Sequence, residues 1–197
     1  KELEKSVIDA ELINADGQAI VWAANFLGHK LPERVSGIDL MEELVKRSFK
    51  KGYKCFFFGA TEEVVTKLVN IYKMQYSENI IAGYRNGYFE KEDEKKIARQ
   101  IAESGANILF VAITSPKKEI FLNTNKKQLQ NVNFIMGVGG SFDVIAGKVN
   151  RAPLWMQNAG LEWLYRVLQE PKRMWKRYLV GNSKFIYLVF KALFKNR

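Results

Sequence analysis

Three compact apolar runs constrain this chain more than anything else in it. They are Tyr53-Lys54-Cys55-Phe56-Phe57-Phe58-Gly59, Asn107-Ile108-Leu109-Phe110-Val111-Ala112-Ile113 and Asn133-Phe134-Ile135-Met136-Gly137. Each is short and hydrophobic throughout instead of alternating, as a strand covered on both faces of a parallel sheet must be. A shorter fourth run is Asn79-Ile80-Ile81-Ala82-Gly83. Between the runs, helical patterns are predicted over 61–76, 90–104 and 117–129. The first opens on Thr61, a good N-cap, and sets Val64, Val65, Leu68 and Tyr72 at helical spacing. Strands alternating with helices predict an α/β fold, a Rossmann-like parallel sheet flanked by helices.

Helices are also predicted over 2–12, through Trp22, and over 38–51. Downstream, 153–169 reads as helix with a break at Gly160, and Pro171 opens another with a break at Gly181-Asn182. The last stretch, 184–195, is amphipathic: lysines flank an aromatic-aliphatic face, as in an interfacial helix. Its apolar core falls well short of the ~20 apolar residues of a membrane span.

Charge divides the chain further. Of the net +10, +9 falls in 148–197, where 11 Lys+Arg meet 2 Asp+Glu, and the first 147 residues are nearly neutral. Trp155, Trp163 and Trp175 lie in the same tail. The expected division is therefore a nearly neutral α/β domain at 1–150 and a basic helical appendage at 151–197. A basic, aromatic appendage calls for a polyanionic partner such as anionic lipid, nucleic acid or a phosphate-bearing ligand.

Other classes fall away. One cysteine, Cys55, forms no internal disulfide, and with one histidine, His29, it makes no zinc site of the usual ligands. His29 reads as a surface loop residue and Cys55 as core. There is no D-x-D pair, so no metal is indicated. The chain opens on Lys1, and the expectation is an N-terminally truncated protein.

In open α/β sheets, ligands bind outside the carboxyl ends of the strands. That rule selects Gly59-Ala60-Thr61, Thr114-Ser115-Pro116-Lys117-Lys118-Glu119 and Gly137-Val138-Gly139-Gly140-Ser141-Phe142-Asp143. Glycines there either let backbone approach a phosphate or sugar or simply make tight turns. Neither G-x-G-x-x-G nor the Walker pattern is completed: Phe142 and Val149 occupy the deciding positions. Asp16 either caps a helix entry or serves as a general base. Arg34 binds a phosphate or solvates a surface. Asp143 takes a sugar hydroxyl or caps a helix. Arg166, Arg173 and Arg177, in a tail that also holds Lys176, are spaced to lie along one helical face, which either is simply solvated or takes a diphosphate or an acidic membrane.

Together, Asn14-Ala15-Asp16-Gly17, Leu31-Pro32-Glu33-Arg34-Val35-Ser36-Gly37-Ile38-Asp39-Leu40, Ser115-Pro116-Lys117-Lys118-Glu119, the glycine block through Gly147, Arg151-Ala152-Pro153 and Gly160-Leu161-Glu162-Trp163-Leu164-Tyr165-Arg166 resemble the WecG/TagA/CpsF glycosyltransferases. The resemblance runs over essentially the whole chain. It implies inverting transfer of an N-acetylmannosamine-, uronic acid- or glucose-type sugar from a UDP-sugar to a polyprenyl-diphosphate-linked saccharide, in bacterial cell-surface polysaccharide synthesis. It also implies Asp16 as the base, Arg34 as a pocket arginine, the glycine block with Phe142 and Asp143 as nucleotide loops, and Arg166 and Arg173 neutralising the departing diphosphate.

The resemblance further implies metal-independent catalysis with no cofactor, and a peripheral location on the inner face of the cell membrane. The appendage then closes the site and attaches the protein to an anionic membrane. An exposed sheet edge suits a homo-oligomer, and no nucleic acid partner is implied. A non-catalytic nucleic-acid-binding protein and a membrane-docking scaffold are the competing readings. The family's usual Gly-x-Pro-Lys-Gln-Glu is here Thr114-Ser115-Pro116-Lys117-Lys118-Glu119. A cation at Lys118 in place of an amide predicts an altered donor preference, such as for an acidic sugar.

Overall fold

The structure, a computed structural model, describes residues 2–195, without the side chains of Glu2, Arg173, Arg177 and Lys195. By contact density the chain forms two compact units, one of 1–13 with 37–148 and one of 14–36 with 149–197.

The first unit holds α1 (Glu2–Ile8), α3 (Gly37–Lys51), β1 (Cys55–Gly59), α4 (Glu62–Gln75), β2 (Ile81–Arg85), α5 (Glu94–Glu103), β3 (Ile108–Ala112), α6 (Lys117–Thr124), β4 (Phe134–Gly137) and α7 (Ser141–Ile145). The strands form one four-stranded, all-parallel sheet in the order β2-β1-β3-β4. Phe57 and Phe110 face one side with Val64, Val65 and Leu68 of α4 and Val45 of α3. Phe56, Phe58, Leu109 and Val111 face the other, against Ile97, Ala98 and Ile101 of α5 and Phe121 of α6. The central strands β1 and β3 are buried on both faces, which is why they read as unbroken apolar runs. Thr61 caps α4, its hydroxyl accepting from the Val64 N–H at 3.3 Å. Cys55 is core, and burial pushes its thiol up to about 11.

The second unit holds α2 (Gln18–Phe26), α8 (Leu154–Asn158), α9 (Glu162–Gln169) and α10 (Pro171–Lys195). The break at Gly160 is present: the glycine sits at φ +70 between α8 and α9. The expected break at Gly181-Asn182 is not, because α10 is one helix of 25 residues. Gly181 costs a helix about 1 kcal/mol, too little to interrupt a cooperative helix of this length. The Ser183 hydroxyl also bonds back to the Leu179 carbonyl at 2.7 Å, satisfied within the turn. Arg166 also departs from the expected alignment. It lies on α9, and Glu170, at φ −130 and ψ 62, separates that helix from α10 with Arg173 and Arg177. Pro171 disfavours helical backbone at the residue before it, so the three arginines do not share one helical face. Among the described residues no helix is long and apolar enough to cross a membrane.

Candidate functional site

In the sheet unit, strand order reverses between β1 and β3, where ligands of open α/β sheets bind beyond the carboxyl ends. Gly59 lies there at φ +137, and a Cβ on it would stand 2.4 Å from the Ala112 carbonyl oxygen. Only glycine lets β1 and β3 end this close together. Ala60, at φ +57, donates its amide to the same Ala112 carbonyl at 3.0 Å. Gly87 donates to the Ala60 carbonyl at 2.9 Å. The Gly59-Ala60 turn therefore spends its backbone groups on closing the strand ends.

The next loop enters α6 through a cis Ser115–Pro116 bond. Lys117 turns back, donating to the Phe89 carbonyl at 2.9 Å with its ammonium 3.7 Å from the Phe89 ring centroid. Lys118 and Glu119 pair at 3.2 Å, both largely buried. Gly137 makes room for this pair, since a Cβ there would come within 2.7 Å of the Lys118 ammonium. Burial alone would raise the Glu119 pKa. Its own backbone N–H, the Lys118 charge and the Ser115 hydroxyl outweigh that and hold it below the usual carboxylate value. Glu119 Oε2 is buried without a hydrogen-bond partner. Lys118 thus spends its cation on the adjacent Glu119.

Beyond β4, the Val138 amide bonds the Val111 carbonyl at 2.9 Å, and the Ser141 hydroxyl bonds the Val138 carbonyl at 2.7 Å. Gly139, at φ +53, and Gly140 form the turn into α7. Asp143 lies 3.8 Å from Lys148. The Phe142 ring is fully buried, with centroids 6.0 Å apart from Phe57, so it is core and offers a ligand no side-chain surface. A separate cleft of about 610 Å³ runs between β2 and α5, lined by Phe56, Gly83, Tyr84, Lys96 and Arg99, and shares no residue with these loops.

In the second unit, Asp16 is exposed and directly precedes Gly17, the N-cap of α2. The Val35 amide donates to the Ala15 carbonyl at 3.0 Å, tying the Asp16 segment to the Arg34 segment. Arg34 Nη1 meets Glu162 Oε2 of α9 at 2.7 Å. Arg166 follows Glu162 by one turn on the same face. Nothing in the sequence marks Glu162 as the partner of Arg34, although the Gly160-Leu161-Glu162-Trp163 block contains it. Lys176 is exposed on α10, and the Arg173 and Arg177 side chains lie outside the described ones. Among the described residues, no group of three or more His, Cys, Asp or Glu is placed to hold a metal ion.

The model of the glycosyl transferase WecG/TagA/CpsF family matches residues 1–197. The chain is 36% identical over 170 residues to an N-acetylglucosaminyldiphosphoundecaprenol N-acetyl-beta-D-mannosaminyltransferase of Bacillus subtilis (strain 168), covering 86% of this chain and 65% of the relative. It is 34% identical over 188 residues to the protein of the same description in Bacillus spizizenii (strain ATCC 23059 / NRRL B-14472 / W23), covering 95% of this chain and 71% of the relative. The chain therefore spans about two thirds of the length of these two relatives. With a parallel sheet of the expected kind and a family match along its whole length, the chain belongs to the WecG/TagA/CpsF glycosyltransferase family.

Proposed function

We propose that this protein is an inverting glycosyltransferase that moves an N-acetylmannosamine-type sugar from a UDP-sugar to a polyprenyl-diphosphate-linked saccharide at a membrane surface, in cell-wall polymer synthesis. The observation that carries this reading is the likeness to two mannosaminyltransferases whose names specify a diphosphoundecaprenol-linked N-acetylglucosamine. In the proposed reaction Asp16 takes the proton of the acceptor hydroxyl. The oxygen then attacks the anomeric carbon from the face opposite UDP. The bond from that carbon to the diphosphate oxygen breaks, and its electron pair leaves with UDP. Arg166 and Arg173 neutralise the charge that develops on the diphosphate, the role a bound cation plays elsewhere. The loops at Pro116–Glu119 and Gly137–Asp143 take the nucleotide sugar. The ion pair Lys118–Glu119 favours a neutral amino sugar over an acidic one, since the cation already has its anion. Tail cations Lys176 and Arg177 supply charge for the acceptor's diphosphate or an anionic lipid surface.

The test is Asp16→Asn, assayed with UDP-N-acetylmannosamine and a diphosphate-linked N-acetylglucosamine acceptor, beside calorimetric titration with UDP. Loss of a general base lowers turnover by about 10²–10⁴-fold, and UDP affinity is expected to stay as it was. Unchanged turnover, or equal loss of UDP binding, overturns the role given to Asp16. Absence of UDP binding by the unsubstituted chain overturns the transferase reading.

A further inference from the structure

Helix α2 has the sequence Gln-Ala-Ile-Val-Trp-Ala-Ala-Asn-Phe, with no charged residue in nine. Ala19, Trp22, Ala23 and Phe26 fall at i, i+3, i+4 and i+7, the spacing of a single helical stripe. On a soluble helix such a stripe faces the core. Here Val21 is the buried side chain, and Trp22 and Phe26 are 55% and 63% exposed, with Ile20 beside them at 46%. Trp22 approaches the Gly160 turn, where a glycine Cβ would lie 3.0 Å from the indole edge. The helix is thus seated within its own unit by one side, with its apolar stripe left open.

Two features of that unit identify what covers the stripe. Residues 14–36 and 149–197 hold twelve Lys and Arg against four Asp and Glu, so most of the chain's +10 belongs to this unit. All four tryptophans, Trp22, Trp155, Trp163 and Trp175, lie in it, each at least 40% exposed. Exposed indoles, an uncharged helix and a surplus of cations complement an anionic bilayer, where tryptophan sits at the headgroup level and cations meet the lipid charge. We propose that α2 inserts its Trp22–Phe26 face into the surface of an anionic lipid bilayer, as a docking element separate from α10. Asp16 directly precedes the helix, so docking α2 sets the proposed base at the depth where a lipid-linked acceptor presents its sugar. This last consequence rests on the function proposed above; the lipid contact does not.

The experiment is vesicle flotation of the full chain, with α10 intact throughout, on phosphatidylglycerol–phosphatidylcholine vesicles. Phe26→Gln with Ile20→Gln is expected to lower the partition coefficient about tenfold or more, the scale of burying one large apolar side chain. A second measurement leaves α2 untouched: with Trp155, Trp163 and Trp175 changed to Phe, brominated acyl chains should quench Trp22. Unchanged partitioning, or a Trp22 that stays unquenched on bound protein, overturns the proposal. So does concentration-dependent self-association without lipid that the same two substitutions abolish, which would assign the stripe to a second copy. Sugar transfer to the acceptor in detergent is scored separately. If transfer persists while Trp22 stays unquenched, only the docking surface falls. If Trp22 is quenched and no transfer occurs, only the transferase reading falls.

Discussion

Arg34 and Glu162, far apart in the chain, meet through Nη1 and Oε2 at 2.7 Å, with the arginine 14% and the glutamate 31% exposed. Exposed pairs of this type contribute little, and burial sharpens both the attraction and the penalty for losing one partner. The pair joins the segment after α2 to the first turn of α9. Glu162→Gln is expected to lower stability by about 1–2 kcal/mol in urea denaturation, because a shielded guanidinium loses its counter-charge. A double-mutant cycle with Arg34→Gln should show coupling of about 1 kcal/mol. Additive effects would mean that the two side chains meet without holding anything together.

Gly59 and Gly139 both have positive φ, and their surroundings separate them. A Cβ at Gly59 would overlap the Ala112 backbone at 2.4 Å, whereas Gly139 has nothing within 4 Å. Gly139→Ala should cost about 1 kcal/mol for left-handed backbone alone. Gly59→Ala should cost about 3 kcal/mol or more, since β1 and β3 must part. Thermal melts of the two variants check the ranking, and equal shifts would refute the packing argument.

Helix and strand content is legible in the sequence because both signals are periodic and local. Continuous apolar runs give β1, β3 and β4, and Thr61 marks the start of α4. The fourth strand lies two residues later than its run, after a 3₁₀ turn at Glu78–Ile80. What escapes is contact between distant positions. Nothing local to Arg34 points to Glu162, and nothing local to Lys118 points to Gly137. The burial of Phe142 is not legible because it sits within a glycine loop, where a lone aromatic reads equally well as a ligand platform or a core plug. Gly181 misleads because propensity is weighed residue by residue, whereas a helix forms cooperatively.

Glu119 sets an acid-side prediction. Its carboxyl is held below the ordinary value of 4.5, so folding is favoured by its ionised form. That contribution is fully present above the unfolded-state value and is lost as pH falls through the lower folded-state value. Glu119→Gln should therefore be less stable than the parent at pH 7, with the gap closing on acidification below about pH 4.5. Denaturation midpoints from pH 7 to pH 3 measure it. A gap independent of pH would show that the carboxylate's charge is irrelevant there.

Helix α10 has 25 residues. At about 1.5 Å per residue it is roughly 37 Å long. It touches α9 near its beginning, where the Trp163 and Tyr178 rings lie 5.8 Å apart, and from Leu179 to Phe194 it carries large apolar side chains in the open. Mechanically this is a cantilever, clamped at one end and unbroken at Gly181. A hinge there would let the outer half settle on any surface without disturbing α9. A stiff beam carries that settling to its inner end, where Tyr178 packs on Trp163 of α9.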